Sequence, residues 1–491
     1  MTDAIRLWDR VMFWALLVLV IFVPYSAAAT EGCLLTIILA WLIKHFLIWK
    51  SHPNYSLSSI FNFSSFSLVL PLIIIGLLII GTIPWSHAPA LSLKKFFSRF
   101  LQQVFLMYVV TEIIQSPKRL YQVLIFLMWT ILVVMVDVFV QYVVGHSFIF
   151  HKHTLIYQRV SGSMRHPNDL GTLLVTVLPI TIALILTRNF WIPILFKKRF
   201  FIPLSLGCAI LIISMLISLG LTSSRGAWVA FTLIMIGGCV FLKKYSWTAI
   251  VIVSLTLFFL VFGVYFTNTR TDIFVKGSIE NEQVVLAKAS SESEYSHAET
   301  IHPNASSISE HGHAETMPPK VSSESEYSHE KKMHSQSSMG DAGRRFFTPS
   351  RRIEYWQTAA EVIKRYLIFG CGYNAYIQTL QKLKLTPVEY PHNSILHITA
   401  ELGIVGVVVY LWFFLALFTK GLKILKSISF HYNLYLLGCG IYFGIIAWFI
   451  HSLLDTPWES LQLSLLWWLL IGVLMSLSNV GEQLKLLKGE K

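Results

Sequence analysis

Three places in this sequence set chemistry-bearing side chains beside long apolar runs. His392 and Asn393 stand in Pro391-His392-Asn393-Ser394, where a polar stretch gives way to an apolar one. Imidazole is the side chain best suited to take a proton near neutral pH. A histidine so placed also serves as a helix cap, and His397, one turn on, competes for the role. Arg225, in Leu221-Thr222-Ser223-Ser224-Arg225-Gly226, opens a second apolar run. A cation there is costly and calls for an anionic partner, or for lipid phosphates reached by snorkelling. Arg351-Arg352 precede Ile353-Glu354-Tyr355-Trp356. Their guanidinium forks suit bidentate phosphate recognition, or the basic face of a helix resting on anionic lipid. Two arginine sites on one membrane face point to one extended anion such as a diphosphate. At an effective dielectric near 20, a charge pair at about 4 Å is worth roughly 4 kcal/mol before desolvation.

The elements that must position these residues follow from composition. The 491 residues are 55% hydrophobic and 13% charged, against roughly 25% charged in soluble domains. So few charges cannot cover a water-soluble surface, which excludes a soluble multidomain enzyme and a disordered chain. The fold class expected is an all-α polytopic membrane protein. Spans of about 20 apolar residues are expected at 11–29, 32–49, 67–84, 100–115, 120–144, 168–187, 201–220, 226–242, 247–266, 393–418, 432–453 and 459–478. That is about twelve transmembrane helices. The fourth is the weakest, being interrupted by Gln102, Gln103 and Glu112. Ala27-Ala28-Ala29 imitates a signal-peptide cleavage site, but the reading preferred is a retained first helix. The five cysteines have no metal or disulfide spacing and read as packing residues.

Orientation follows from the short loops. With the N-terminus in the cytoplasm and twelve spans, eighteen Lys and Arg fall on the cytoplasmic side and seven in short external loops. The expectation is N-in, C-in, with the +13 net charge reporting mainly topology, not nucleic acid. The external seven are Lys94, Lys95, Arg99, Lys152, Arg159, Arg165 and Arg225. Topology does not explain them.

The domain organisation expected is transmembrane helices one to nine in 1–266, a large external loop in 267–392, helices ten to twelve in 393–480 and a tail in 481–491. Within the loop, about 278–342 is low complexity. Lys288–His297 reads KASSESEYSH, and Lys320–His329 reads KVSSESEYSH. Such a Ser/Glu/His composition has little to bury and predicts disorder. Its histidines also allow a metal-binding tract, with a tolerated loop expansion as the plainer account. From 344 to 392 aromatic, apolar and basic residues mix at helical spacing, which predicts folded amphipathic helices at the outer leaflet.

These motifs resemble the O-antigen ligase family, within the wider group of lipid-linked-glycan polymerases and protein O-oligosaccharyltransferases. The family signature of His, then Asn, Ser or Gln, nine residues, Gly, two residues and a small residue is met by His392, Asn393, Gly403 and Gly406. Glu401 is also typical. SRRIEYWQTAAEVIKRYLIFGCGYNAY resembles the family's Arg, three residues, Trp, helix and Gly-x-Gly turn, which lands on Arg352, Trp356, Gly370 and Gly372. SSRGAWVAF resembles the segment of the other essential arginine, here Arg225, and SGSMRHPNDLG resembles a stretch before the sixth helix. The repeat-bearing insert is a departure from the pattern. The resemblance covers most of 155–460.

The resemblance implies a GT-C-like fold and metal-independent, inverting glycosyl transfer on the periplasmic face of a bacterial inner membrane. The donor would be a glycan on undecaprenyl diphosphate and the acceptor a hydroxyl, preferentially of lipid A-core. His392, Arg352 and Arg225 would be catalytic. Arg351, Asn393, Arg159 and Tyr373 would bind substrate. No cofactor and no metal is implied, nor a nucleic-acid partner; membrane lipid is a partner, and the oligomeric state is open. Asp137, Asp169 and Asp455 are candidates for supporting roles. A polymerase or a protein O-oligosaccharyltransferase using the same donor is the alternative. A non-enzymatic flippase is the more remote one, disfavoured by the lack of an inverted repeat.

Overall fold

The computed structural model describes residues 2–51, 66–150, 155, 159–197, 201–242, 256 and 349–488. The span expected at 247–266, except Thr256, and the insert at 278–342 lie outside the described residues. The chain divides into two units, Met1–Gly263 with Arg352–Lys491, and Val264–Arg351.

The architecture is all-α. The helices are α1 (Thr2–Phe22), α2 (Ala27–Ser51), α3 (Phe66–Thr82), α4 (Pro89–Lys95), a π-helical turn (Phe96–Leu101) leading into α5 (Gln102–Ile113), α6 (Pro117–Val144) and α7 (Pro167–Leu186). They continue as α8 (Arg188–Leu195), α9 (Phe201–Leu221), α10 (Arg225–Leu242), α11 (Pro349–Arg365), α12 (Tyr376–Lys382), α13 (Ser394–Ser427), α14 (Tyr432–Ser452) and α15 (Leu461–Lys488). Among the described residues eight helices are long and apolar enough to cross a membrane. Their outward faces carry Leu39, Phe139, Leu206 and Leu415, all exposed, as befits a surface solvated by lipid and not by water.

Several boundaries differ from the sequence expectation, each for a local reason. The first helix ends at Phe22, ahead of Pro24, and Ala27–Ala29 form the first turn of α2. A proline cannot donate to a helix in progress. The helix expected at 393–418 runs on to Ser427, and the one expected at 459–478 runs to Lys488, so Lys420, Lys423, Lys426 and Lys485 ride on helices. Lysine stems are good helix formers, so loss of apolar character did not mark the ends. Two of the polar residues that weakened the fourth span accept hydrogen bonds within the bundle. Gln103 Oε1 accepts from Ser464 Oγ at 2.7 Å, and Glu112 accepts from Trp41 Nε1 and Lys44 Nζ at 2.7 and 2.8 Å.

The main pairings are α1 with α2, α7 with α14, α5 with α15 and α3 with α13. Where α13, α14 and α15 meet, the rings of Trp448, Trp458 and Trp467 pack on one another, Trp467 packs on Phe414, and Phe414 on Phe449. Aromatic pairs of this kind add about 0.5–1.5 kcal/mol each beyond area burial. Trp458 ties the loop that joins α14 to α15 into this block.

Candidate active site

His392 closes the segment entering α13, and the next residue explains where that helix begins. Asn393 is its N-cap, its Oδ1 accepting from the Leu396 N–H at 3.0 Å. The Asn393 Nδ2 donates to Leu453 O at 3.0 Å, and Ser394 Oγ donates to Asp455 O at 3.2 Å. Both ends of the Asn393 side chain, expected at the substrate, are therefore engaged by backbone. They lash the start of α13 to the α14–α15 loop.

That lashing brings His392 Nδ1 to 2.7 Å from Asp455 Oδ1. A carboxylate only accepts, so Nδ1 carries the proton and donates, which leaves the Nε2 lone pair as the basic site. Thr456 N–H also donates to Asp455 Oδ1, at 2.8 Å. Burial lowers the His392 pKa, but the hydrogen bond and charge of Asp455 outweigh it and leave the pKa raised. Burial pushes Asp455 up, and the bond and charge of His392 pull it well below the ordinary carboxylate range. The His392 side chain keeps 28% exposure, enough to meet a substrate. Its backbone φ of 45° is left-handed, a conformation that costs a non-glycine residue about 1–3 kcal/mol and persists where surroundings enforce it.

Helix α11 delivers Arg352. Trp356 Nε1 donates to Pro391 O at 2.9 Å, and the Tyr355 ring lies 5.7 Å from the His392 ring. Residues four apart share a helix face, so the Arg-x3-Trp spacing anchors the helix by Trp356 and turns Arg352 toward His392. Arg351 immediately precedes it in the same helix and is the last residue of the second unit.

Arg225 is the first residue of α10, after a turn in which Ser223 has φ 49°. Arg159 holds that turn: its Nε donates to Thr222 O and its Nη2 to Asn168 Oδ1, both at 2.7 Å. Burial, then the charges of Arg352 and Arg225, bring the Arg159 pKa down to about 10 despite the offset from Asp455. Arg159 thus lies within electrostatic reach of Arg352, Arg225 and Asp455. Arg225 and Arg352 are exposed and make no hydrogen bond or ion pair to the described residues. Guanidinium forks left unbonded by the described residues, each acting on an engaged third arginine, are groups that can bind a multiply charged anion.

The second half of the motif is architecture. Helix α13 is broken at Gly403 (φ 70°, ψ −171°), and the Gly370-Cys371-Gly372 turn docks into the break. Cys371 N–H donates to Ala400 O at 2.9 Å, Gly372 N–H to Glu401 O at 3.0 Å and Ile404 N–H to Leu367 O at 2.9 Å. A Cβ at Gly370 would collide with the Glu401 carbonyl, and one at Gly403 with the Ile368 carbonyl. The Glu401 carboxylate accepts from the Asn374 and Tyr376 N–H groups at 2.8 and 3.2 Å, which explains its place in the pattern.

Several residues fall elsewhere. Tyr373 lines a separate cavity with His397 and Arg99. His397 is buried, 3.3 Å from Glu401 Oε1. Asp137 is buried and accepts from Ser147 Oγ and Phe148 N–H, a staple for the turn after α6. Sequence reasoning left Asp455 among three supporting carboxylates, since nothing local marks it as the partner of His392. It also passed over His451, whose Nδ1 meets Thr172 Oγ1 at 2.8 Å where α14 packs on α7. His166 caps α7, accepting from Asn168 N–H, and burial followed by the Arg159 charge brings it to about 4, so it stays neutral. Among the described residues no group of three or more His, Cys, Asp or Glu is arranged to hold a metal ion.

No curated protein matches the chain. A family model does: residues 209–411, about two fifths of the chain, match the model described as O-antigen ligase. The match runs from α9 through the first half of α13 and contains Arg225, Arg352, His392 and Gly403, so over these residues the chain is similar to the O-antigen ligase family.

Proposed function

We propose that this protein is an inverting glycosyltransferase that moves a glycan from undecaprenyl diphosphate to an acceptor hydroxyl, preferentially on lipid A-core. Its site faces the periplasm of a bacterial inner membrane, and both termini lie in the cytoplasm. The observation that carries the reading is the His392–Asp455 pair at 2.7 Å, together with two arginines that no described residue pairs. An imidazole with its Nδ1–H held by a carboxylate presents Nε2 as a base. The arginines supply charge where a diphosphate would leave.

In the reaction, the acceptor oxygen attacks the anomeric carbon, and the bond from that carbon to the diphosphate oxygen breaks. The acceptor proton passes to His392 Nε2, and Asp455 stabilises the imidazolium that forms. Arg225 and Arg352 take up the charge that grows on the departing diphosphate. Attack opposite the leaving group inverts the anomeric centre. The diphosphate leaves as a stable anion, so no nucleotide is consumed.

The test is product analysis. Purified protein is combined with an undecaprenyl-diphosphate-linked glycan and lipid A-core, and the glycan-bearing product is identified by mass spectrometry. Wild type is expected to yield glycosylated lipid A-core, and His392→Ala none while remaining inserted in the membrane. Transfer by His392→Ala at the wild-type rate would sink the reading.

A further inference from the structure

A cavity is built on other helices than the arginine cluster. Ile75 and Ile79 of α3, Phe100 of the π-turn, Leu402 and Phe413 of α13 and Trp468 of α15 form its apolar wall. Its lining also includes the polar residues Arg99, Gln103, His397, Glu401 and Glu459. Mostly apolar walls with a few polar groups are the usual form of a ligand site. In the orientation inferred from the lysines and arginines, these residues fall in the outer half of their helices.

Three observations give the cavity an occupant. Gln103 is 4% exposed, and its Oε1 is taken by Ser464, but its Nε2 has no hydrogen-bond partner among the described residues. A buried unmatched amide donor costs about 1–3 kcal/mol, and an acyl or phosphoryl oxygen would satisfy it. Arg99 also lines the cavity, its guanidinium donating to Trp458 O at 3.4 Å and Glu459 O at 3.3 Å. Arg99, Lys94 and Arg165 act electrostatically on Lys95, and these are four of the external cations that topology does not account for. Finally, the cavity adjoins the catalytic pair through both of its segments. His397 lies in the first turn of α13, five residues beyond His392, and Glu459 follows Asp455 in the α14–α15 loop, 3.8 Å from His397.

We infer that this cavity holds an acyl chain of the acceptor lipid, with Gln103 and the Lys94–Arg99 cations engaging the oxygens and phosphate at the head of that chain. The assignment rests on the transfer reading above and adds the acceptor's anchor to it. The donor diphosphate belongs to Arg225 and Arg352, on α10 and α11, and inversion requires the acceptor to arrive from another side. The cavity, on α3, α5, α13 and α15, supplies that side.

The experiment is equilibrium binding to the full-length protein in micelles, followed by native mass spectrometry. The probes are lipid A-core, its fully deacylated counterpart and undecaprenyl diphosphate. Wild type is expected to bind the acylated form at least tenfold more tightly than the deacylated one. Ile75→Trp, which fills the cavity, and Gln103→Leu, which removes the amide and keeps the volume, are each expected to weaken the acylated form at least fivefold. Gln103→Leu stands alone if Ile75→Trp does not fold. Equal binding of the two acceptor forms by wild type would overturn the inference. So would variants that weaken undecaprenyl diphosphate in place of the acceptor. Binding is read without turnover, so the two readings fail separately. Chain-dependent binding with no transfer would retire the transferase and keep the site, whereas equal transfer to both forms would do the reverse.

Discussion

His392 and Asp455 are 63 positions apart in the chain and 2.7 Å apart in the fold, joined Nδ1 to Oδ1. The contact exists because Asn393 and Ser394 bind the backbone of the α14–α15 loop at Leu453 and Asp455. It sets both the tautomer and the basicity of the imidazole.

Asp455→Asn keeps the shape of that contact and removes its charge. Neutral imidazole is the form that accepts a proton, so transfer rises with pH through the His392 pKa. Asp455 holds this pKa above its ordinary value against burial. The variant is expected to shift the acid limb of kcat/KM to lower pH and to reduce the plateau by about 10²–10⁴-fold. A pH–rate profile decides it: a limb that stays in place would mean another group titrates.

Arg352→Lys and Arg225→Lys retain charge without the fork. Neither arginine is bonded to the described residues, so thermal stability should hold within about 0.5 kcal/mol of wild type. Donor kcat/KM is expected to fall about tenfold or more, because a point ammonium cannot reproduce bidentate phosphate contacts. Steady-state kinetics with both variants checks this, and unchanged donor kinetics would remove the diphosphate clamp.

Gly370→Ala and Gly403→Ala place a Cβ on a facing carbonyl at left-handed backbone positions. Each is expected to cost more than about 2 kcal/mol, read as a lower unfolding midpoint. Gly32→Ala, where a Cβ meets nothing within 4 Å, serves as the control and should leave the midpoint unchanged. Equal midpoints for all three would separate the Gly-x-Gly turn from the break in α13.

Deleting about 285–335, a Ser/Glu/His-rich segment that lies between the motifs, should leave donor turnover largely intact. The measurement is transfer by the shortened protein; complete loss would give the insert a role in the reaction.

Periodicity and composition were enough for the all-α membrane class, because a helix in lipid must satisfy its own backbone and therefore writes itself as a long apolar run. The Arg352-x3-Trp356 spacing was legible for the same reason: one helix face is a local property. The ends of α13 and α15 were not, since lysine permits a helix to continue past its apolar part. Glu401, Gly370 and Gly403 stood out as a pattern, yet their purpose, a turn docked by backbone bonds into a broken helix, belongs to two segments thirty residues apart. Asp455 over Asp137 and Asp169, the unmatched Gln103 amide and the cavity beside it come from packing between distant helices. Side chains that meet across such contacts share no period and no spacing, so the chain folded in three dimensions is what pairs them.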